Sequence, residues 1–335
     1  MLAVTVDVGT TNSRIRVIED GEILSMVKSE VGIKDVAITG SKEILESALS
    51  KIIYQGLLNA KREIDEVEFF VASGMITSNL GLVEIPHRIS PVSMDDLTKG
   101  IVKKEFEWIK NIPFYFIPGV KNGVEVPCMD RLDQIDVMRG EEVEAFGIME
   151  LCKIEGPALM ILPGSHTKFV YIGKKNEIEK CSTTMLGEFL HALSKSTILS
   201  NSIPSNLVSN VDEEYVVRGI DFERKNGVTK AAFAARLMDI SMNTTPNQRA
   251  NFLAGALVSN DIGPKIMLDI NEGGYKQIII GGSSPLKDIF KIVLENKGLK
   301  NTTITLLTDD ITDRASSVGS LKIVEGMRKA ECVLV

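Results

Sequence analysis

Asp7-Val8-Gly9-Thr10-Thr11 sets a carboxylate two residues before a glycine and three before a pair of hydroxyls. A glycine in a tight turn lets backbone come close to a ligand, and the N–H and hydroxyl groups after it can hydrogen-bond phosphate oxygens. A carboxylate at the end of a buried strand beside such a turn can hold Mg²⁺ or its waters. The pattern therefore suits Asp7 as a metal-side ligand and Gly9, Thr10 and Thr11 as phosphate contacts. Arg14, just past the turn, can neutralise phosphate charge. Taken alone, the stretch also fits an ordinary hairpin in which Asp7 caps its own turn.

A second turn of the same kind follows half a chain later. Gly164-Ser165-His166-Thr167-Lys168 matches Gly9-Thr10-Thr11-Asn12-Ser13-Arg14 with one residue missing, and Asn176-Glu177-Ile178 matches Gly21-Glu22-Ile23 in the turn beyond. Strand, turn, strand, turn, strand is repeated in order, as an internal duplication would leave it. Two such turns can grip a phosphate chain, with Ser165, Thr167 and Lys168 as contacts. Gly281-Gly282-Ser283 follows an apolar run and could let an adenine or ribose lie flat against backbone. Taken alone, it reads first as a strand-to-helix turn. Ser73-Gly74-Met75 ends another apolar run, where α/β folds place ligands.

The elements that position these groups follow from periodicity. Alternating valines in 4–8, the β-branched run 13–18 and residues 22–29 predict a three-strand meander. Apolar residues Ile44, Leu45, Ala48, Leu49, Ile52, Ile53 and Leu57 predict a helix over 41–61 with Ser41 as N-cap. Strands are predicted at 67–72, 114–117, 158–162, 169–172, 276–280 and 303–307. Helices are predicted at 94–104, 136–151, 186–196, 211–224, 229–242, after Pro246, at 285–296 and at 311–329. Acidic residues in 136–142 fall where a helix N-terminus favours them.

At 335 residues the chain suits two domains, expected at 1–152 and 153–335 on either side of a cleft. A net charge of −7 without a basic run argues against nucleic acid as a partner. Three histidines are too few for a His-built metal centre. Cys128, Cys152, Cys181 and Cys332 are scattered, as reduced structural thiols are, and with no leader or membrane-length apolar run a cytoplasmic location is expected.

Asp7-Val8-Gly9-Thr10-Thr11 and Gly281-Gly282 resemble the phosphate and adenosine motifs of the actin-like superfamily. More narrowly, four segments resemble the 2-dehydro-3-deoxygalactonokinase family: Ser73-Gly74-Met75-Ile76, Asp136-Val137-Met138-Arg139-Gly140-Glu141-Glu142, Leu162-Pro163-Gly164-Ser165-His166-Thr167-Lys168 and Met185-Leu186-Gly187-Glu188. The resemblance implies an α/β fold of two duplicated ribonuclease H-like domains and ATP- and Mg²⁺-dependent phosphorylation of a 2-keto-3-deoxy sugar acid. It also implies a general base near the start of the helix linking the halves, where Asp136, Glu141 and Glu142 stand. Arg139 could pair with the substrate carboxylate, with Arg88 and His166 as further candidates and Ser73, Gly74 and Met75 on the sugar side. A homodimer is compatible with this reading. The segment Asn79-Leu80-Gly81-Leu82-Val83-Glu84-Ile85-Pro86-His87 departs from the family pattern, as does Leu186 where a Thr is usual, which bears on the choice of sugar acid. A regulatory ATPase on the same scaffold would need an appendage, and a polyphosphate hydrolase a basic channel; the sequence offers neither.

Overall fold

The computed structural model describes residues 1–299 and 302–333. The chain divides into two compact units, one of residues 1–155, 173–181 and 313–335, the other of residues 156–172 and 182–312.

The first unit is built on a six-stranded sheet. Its strands are Leu2–Val8 (β1), Ser13–Glu19 (β2), Glu22–Ser29 (β3), Phe69–Gly74 (β4), Val102–Lys104 (β6) and Phe114–Phe116 (β7), in the order β3-β2-β1-β4-β7-β6. Arg88–Ile89 (β5), Val120–Lys121 (β8) and Val137–Met138 (β9) form a small second sheet. β1 pairs antiparallel with β2 and parallel with β4. β1 is central in the sheet and covered by helices on both faces, which explains its apolar run. Val4, Val6 and Val8 share a core with Leu45, Leu49, Ile53 and Leu57 of the helix Glu43–Ala60 (α2), which follows the short helix Ile33–Thr39 (α1). Ser41 caps α2 from outside: its Oγ accepts from Glu43 N at 3.2 Å, and the N-cap position is Lys42.

Period-2 alternation sends Thr5 and Asp7 to the opposite face. There Thr5 Oγ1 lies 3.1 Å from Ser317 Oγ, and the Arg16 guanidinium donates to Ser316 Oγ at 3.1 Å, so the C-terminal helix Asp309–Val333 covers that side. The helix predicted over 94–104 is only Met94–Thr98 (α3); Val102–Lys104 instead completes the sheet edge by pairing antiparallel with β7. The helix predicted from 136 starts at Glu141 and runs to Cys152 (α4), because Val137–Met138 pairs with Val120–Lys121 and Gly140, at φ 118°, breaks the strand from the helix. Residues 173–181 join this unit through a bridge between Val92 and Ile178 and hydrogen bonds between Asn122 and the Cys181 backbone.

The second unit repeats the plan. Ala158–Leu162 (β10), Thr167–Ile172 (β11), Ile178–Thr184 (β12, of which only residues from 182 on belong to this unit), Gln277–Ile280 (β13) and Thr303–Leu306 (β14) are ordered β12-β11-β10-β13-β14. As in the first sheet, an antiparallel meander continues into parallel strands. This is the duplicated ribonuclease H-like architecture that the family resemblance implied, with the half-chain echo as its duplication. Between β12 and β13 lies a helical insertion: Leu186–Ser196 (α5), Glu213–Asn226 (α6), Val228–Ser241 (α7), Pro246–Asp261 (α8) and Pro264–Gly273 (α9). Leu286–Asn296 (α10) joins β13 to β14. Among the described residues no helix is long and apolar enough to cross a membrane. Cys128, Cys152 and Cys181 are free thiols, whereas Cys332 lies outside the described side chains.

Candidate functional site

In the first unit the turn after β1 is closed by Gly9 N donating to Asn12 O at 2.8 Å. Its outer carbonyls are pinned by the start of α1, with Ile33 N on Gly9 O at 3.2 Å and Lys34 N on Thr10 O at 2.8 Å. Thr10 and Thr11 are thereby left exposed at the tip. Asp7 stands opposite Ser73 on β4 and Arg14 on β2. Ser73 is buried, and Gly74 adopts φ 82° as the chain turns out of β4. A Cβ on Gly140 would lie 3.3 Å from Gly74 Cα and 3.9 Å from Asp7 Oδ1. Asp7, Gly74 and Gly140 therefore come together, with two side chains omitted around one carboxylate.

The electrostatics match this crowding. Burial pushes the Asp7 carboxyl above its ordinary range, opposed by the cations of Arg14 and Arg16. Glu144, one turn into α4, keeps some surface in solvent but is enclosed enough that its carboxyl rises to about 7. Desolvation is the main cause, followed by repulsion from Glu141 and Asp7, while Arg14 and Arg16 pull it back. Glu142 is fully buried and rises to about 8, mainly through desolvation and then through Glu141. Gly140 N donates to both Glu142 oxygens, at 2.9 and 2.8 Å. Glu141 Oε2 accepts from Arg139 N at 3.1 Å.

The Asp136 carboxylate accepts from its own neighbour Val137 N at 2.7 Å, where the chain enters β9. Arg88 sits on β5 opposite Val120, beside Gly100 and in the field of Asp96. Arg139 turns its guanidinium onto protein: Nη1 donates to Thr77 O and Oγ1 at 2.7 and 2.5 Å, and Nη2 to Ile85 O at 3.1 Å. Met75 opens the short turn that carries Thr77. Glu144 and Arg16 were not anticipated; the i, i+3 spacing of Glu141 and Glu144 was the available signal.

In the second unit the turn after β10 is held by the start of α5. Glu188 N donates to Ser165 O at 3.0 Å, and a Cβ on Gly187 would fall 2.0 Å from Gly164 O. His166 Nε2 lies 3.4 Å from Glu188 Oε1. Gly164 and Ser165 are exposed, and Lys168 donates to Thr183 Oγ1 at 2.8 Å. Thr167 is fully buried, yet its Oγ1 has no partner among the described residues, an unmet capacity beside a turn rich in donors. Gly281 N donates to Ile161 O at 2.9 Å, and a Cβ on Gly282 would lie 3.0 Å from Pro163 O. Gly281-Gly282-Ser283 and Gly164-Ser165 are thus adjoining turns at one end of this sheet.

These donors suit phosphates. Among the described residues no group of three or more His, Cys, Asp or Glu could hold a metal by itself. Asp7 could still hold Mg²⁺ that takes its remaining ligands from phosphates and water, which is how that ion is commonly bound.

A family model for 2-keto-3-deoxy-galactonokinase matches residues 7–317. The chain is similar to the crystal structure of a Sinorhizobium meliloti protein named as a putative 2-dehydro-3-deoxygalactonokinase, at 19% identity and TM-score 0.75 over 97% of this chain and 96% of that one. It is also similar in fold to component A of the (R)-2-hydroxyglutaryl-CoA dehydratase of Acidaminococcus fermentans, at 13% identity and TM-score 0.52 over 99% of each chain. The activator of the 2-hydroxyisocaproyl-CoA dehydratase from Clostridium difficile, solved with bound ADPNP, gives 11% identity and TM-score 0.52 over 99% of this chain and 97% of that one. Among curated protein sequences, none matches the chain.

Proposed function

The chain belongs to the 2-keto-3-deoxy-galactonokinase family, and from that premise we propose that it transfers phosphate from ATP to 2-dehydro-3-deoxy-D-galactonate, giving the 6-phosphate in galactonate or galactose catabolism. Family membership makes it a kinase acting on an alcohol group, with a sugar acid as acceptor. The observation that carries the site reading is the Asp7 carboxylate enclosed by Gly74 and Gly140 beside a Gly9–Thr11 turn whose threonines are exposed.

Phosphoryl transfer asks the protein for positioning and charge neutralisation more than for covalent chemistry. Gly9, Thr10 and Thr11 would offer N–H and hydroxyl donors to phosphate oxygens, as would Gly164, Ser165, His166 and Thr167. Arg14 and Lys168 would add positive charge, and Gly281, Gly282 and Ser283 would border the adenosine. Asp7 would hold Mg²⁺, which when bound neutralises phosphate charge and orients the chain for attack. The acceptor hydroxyl must lose a proton. Asp136 and Glu141 are the candidates for the base: each stands near the start of α4 and accepts one backbone N–H, Asp136 from Val137 and Glu141 from Arg139. Ser73, Gly74, Met75 and Arg88 would border the sugar acid.

The test is ³¹P NMR of the chain incubated with ATP, Mg²⁺ and 2-keto-3-deoxy-galactonate. A phosphate monoester coupled to the C6 protons is expected. ATP consumption that yields inorganic phosphate alone would overturn the assignment.

A further inference from the structure

We propose that Arg139 is a positioning residue that fixes His87 in its Nε2–H tautomer, making His87 a neutral hydrogen-bond donor to an oxygen of the acceptor sugar acid. The identity of the ligand rests on the kinase reading above; the tautomer does not.

Arg139 Nη2 lies 3.2 Å from His87 Nδ1. A guanidinium has donors and no acceptor, so at this contact Nδ1 must accept. The ring proton then resides on Nε2, whose only capacity is to donate. The guanidinium cannot swing away to relax this demand. Its two terminal nitrogens already carry bonds to Thr77 O, Thr77 Oγ1 and Ile85 O, and its own backbone N is tied to Glu141. It is accordingly not at liberty to fork onto a substrate carboxylate, the role its residue type suggested.

Packing fixes the ring as well as the proton. A Cβ on Gly119 would stand 2.9 Å from His87 Cδ2 and 3.2 Å from Arg139 Cγ, so both side chains lie against one bare glycine. The charges facing the ring are Arg139 and, from β8, Lys121; Glu142 and Glu84 act on the guanidinium behind it. An imidazolium here would set two N–H donors against each other. Burial, then Arg139 and Lys121, push the His87 pKa down to about 4. His87 stays partly exposed, at the end of the 79–87 segment that departs from the family pattern. A neutral donor with no acceptor capacity selects an oxygen lone pair over an N–H or cationic group.

The chain has three histidines, so long-range ¹⁵N–¹H correlation resolves each ring, with His87→Gln giving the assignment. In the free protein His87 should show protonated Nε2 and unprotonated Nδ1, and should not titrate between about pH 5.5 and 8. Arg139→Gln should raise the His87 pKa toward the ordinary histidine range without reaching it, because burial, the larger cause, remains. A wild-type ring that titrates near that range, or carries its proton on Nδ1, overturns the tautomer without need of a variant. For the ligand, His87→Gln keeps a donor near the Nε2 position and should hold the acceptor KM within about threefold. His87→Ala should raise it at least about tenfold, with the KM for ATP unchanged. An unchanged acceptor KM in His87→Ala overturns the donor role. If no sugar acid is a substrate at all, the kinase reading fails while the NMR result stands separately.

Discussion

Gly74 lies so close to Asp7 that a Cβ at position 74 would stand 2.9 Å from Asp7 Oδ1 and 2.6 Å from Val8 O. Backbone at φ 82° adds a second reason for glycine. Gly74→Ala should therefore cost at least about 2 kcal/mol of stability and displace the carboxylate, with kcat falling along with it. Urea unfolding and ADP-release rates measured together check this. An alanine variant of wild-type stability and rate would show that the two residues tolerate separation.

Asp7 itself is the carboxylate on which the phosphate-side chemistry depends. Asp7→Asn preserves shape and removes charge. Turnover should fall by at least about 100-fold at saturating ATP and Mg²⁺, with an unaltered circular dichroism spectrum. A fall of less than about threefold would remove Asp7 from the metal-side role.

α4 reaches the sheet because it crosses the C-terminal helix with almost no space between backbones. A Cβ on Gly147 would lie 1.8 Å from Ala315 O, and one on Gly319 would lie 1.9 Å from Val143 O. Either glycine changed to alanine must push the helices apart, and with them Glu144 on one and Ser316, the partner of Arg16, on the other. A loss of about 2–3 kcal/mol is expected for Gly147→Ala by denaturant titration. A loss under about 0.5 kcal/mol would mean the crossing is loose.

Glu142 makes stability depend on pH. Its folded carboxyl sits at about 8 against an ordinary 4.5, so between those values the folded chain keeps a proton that the unfolded chain has lost. Stability must then fall as pH rises through that window, the loss beginning near 4.5 and completing above about 8. Glu142→Gln keeps an acceptor for Gly140 N–H and cannot ionise. Relative to wild type it should gain on the order of 3 kcal/mol between pH 5 and pH 8. Parallel stability curves for the two proteins would contradict the buried, protonated state.

The two turns and the duplication were legible because tight turns write themselves in local residue types and the repeat falls at half the chain. The positions of the main strands followed from alternation and from the apolar runs of β1, β10 and β13. The acidic start of α4 was harder. Glu141 and Glu142 read as residues that complement a helix dipole, and the helix that α4 packs against, at Ala315 and Gly319, stands about 170 residues further along the chain. Arg139 looked free for a substrate because nothing local shows Thr77 and Ile85 waiting for its guanidinium. The edge strand at 102–104 was hidden by its lysines, which suit an exposed edge as well as a polar helix.

The central claim is that this chain phosphorylates a sugar acid. Initial rates of ADP release across 2-keto-3-deoxy-galactonate, 2-keto-3-deoxy-gluconate and neutral hexoses test it most directly. The account predicts kcat/KM for a 2-keto-3-deoxy acid at least about 100-fold above that for any neutral hexose. Turnover confined to neutral hexoses, or equal on both classes, would contradict it.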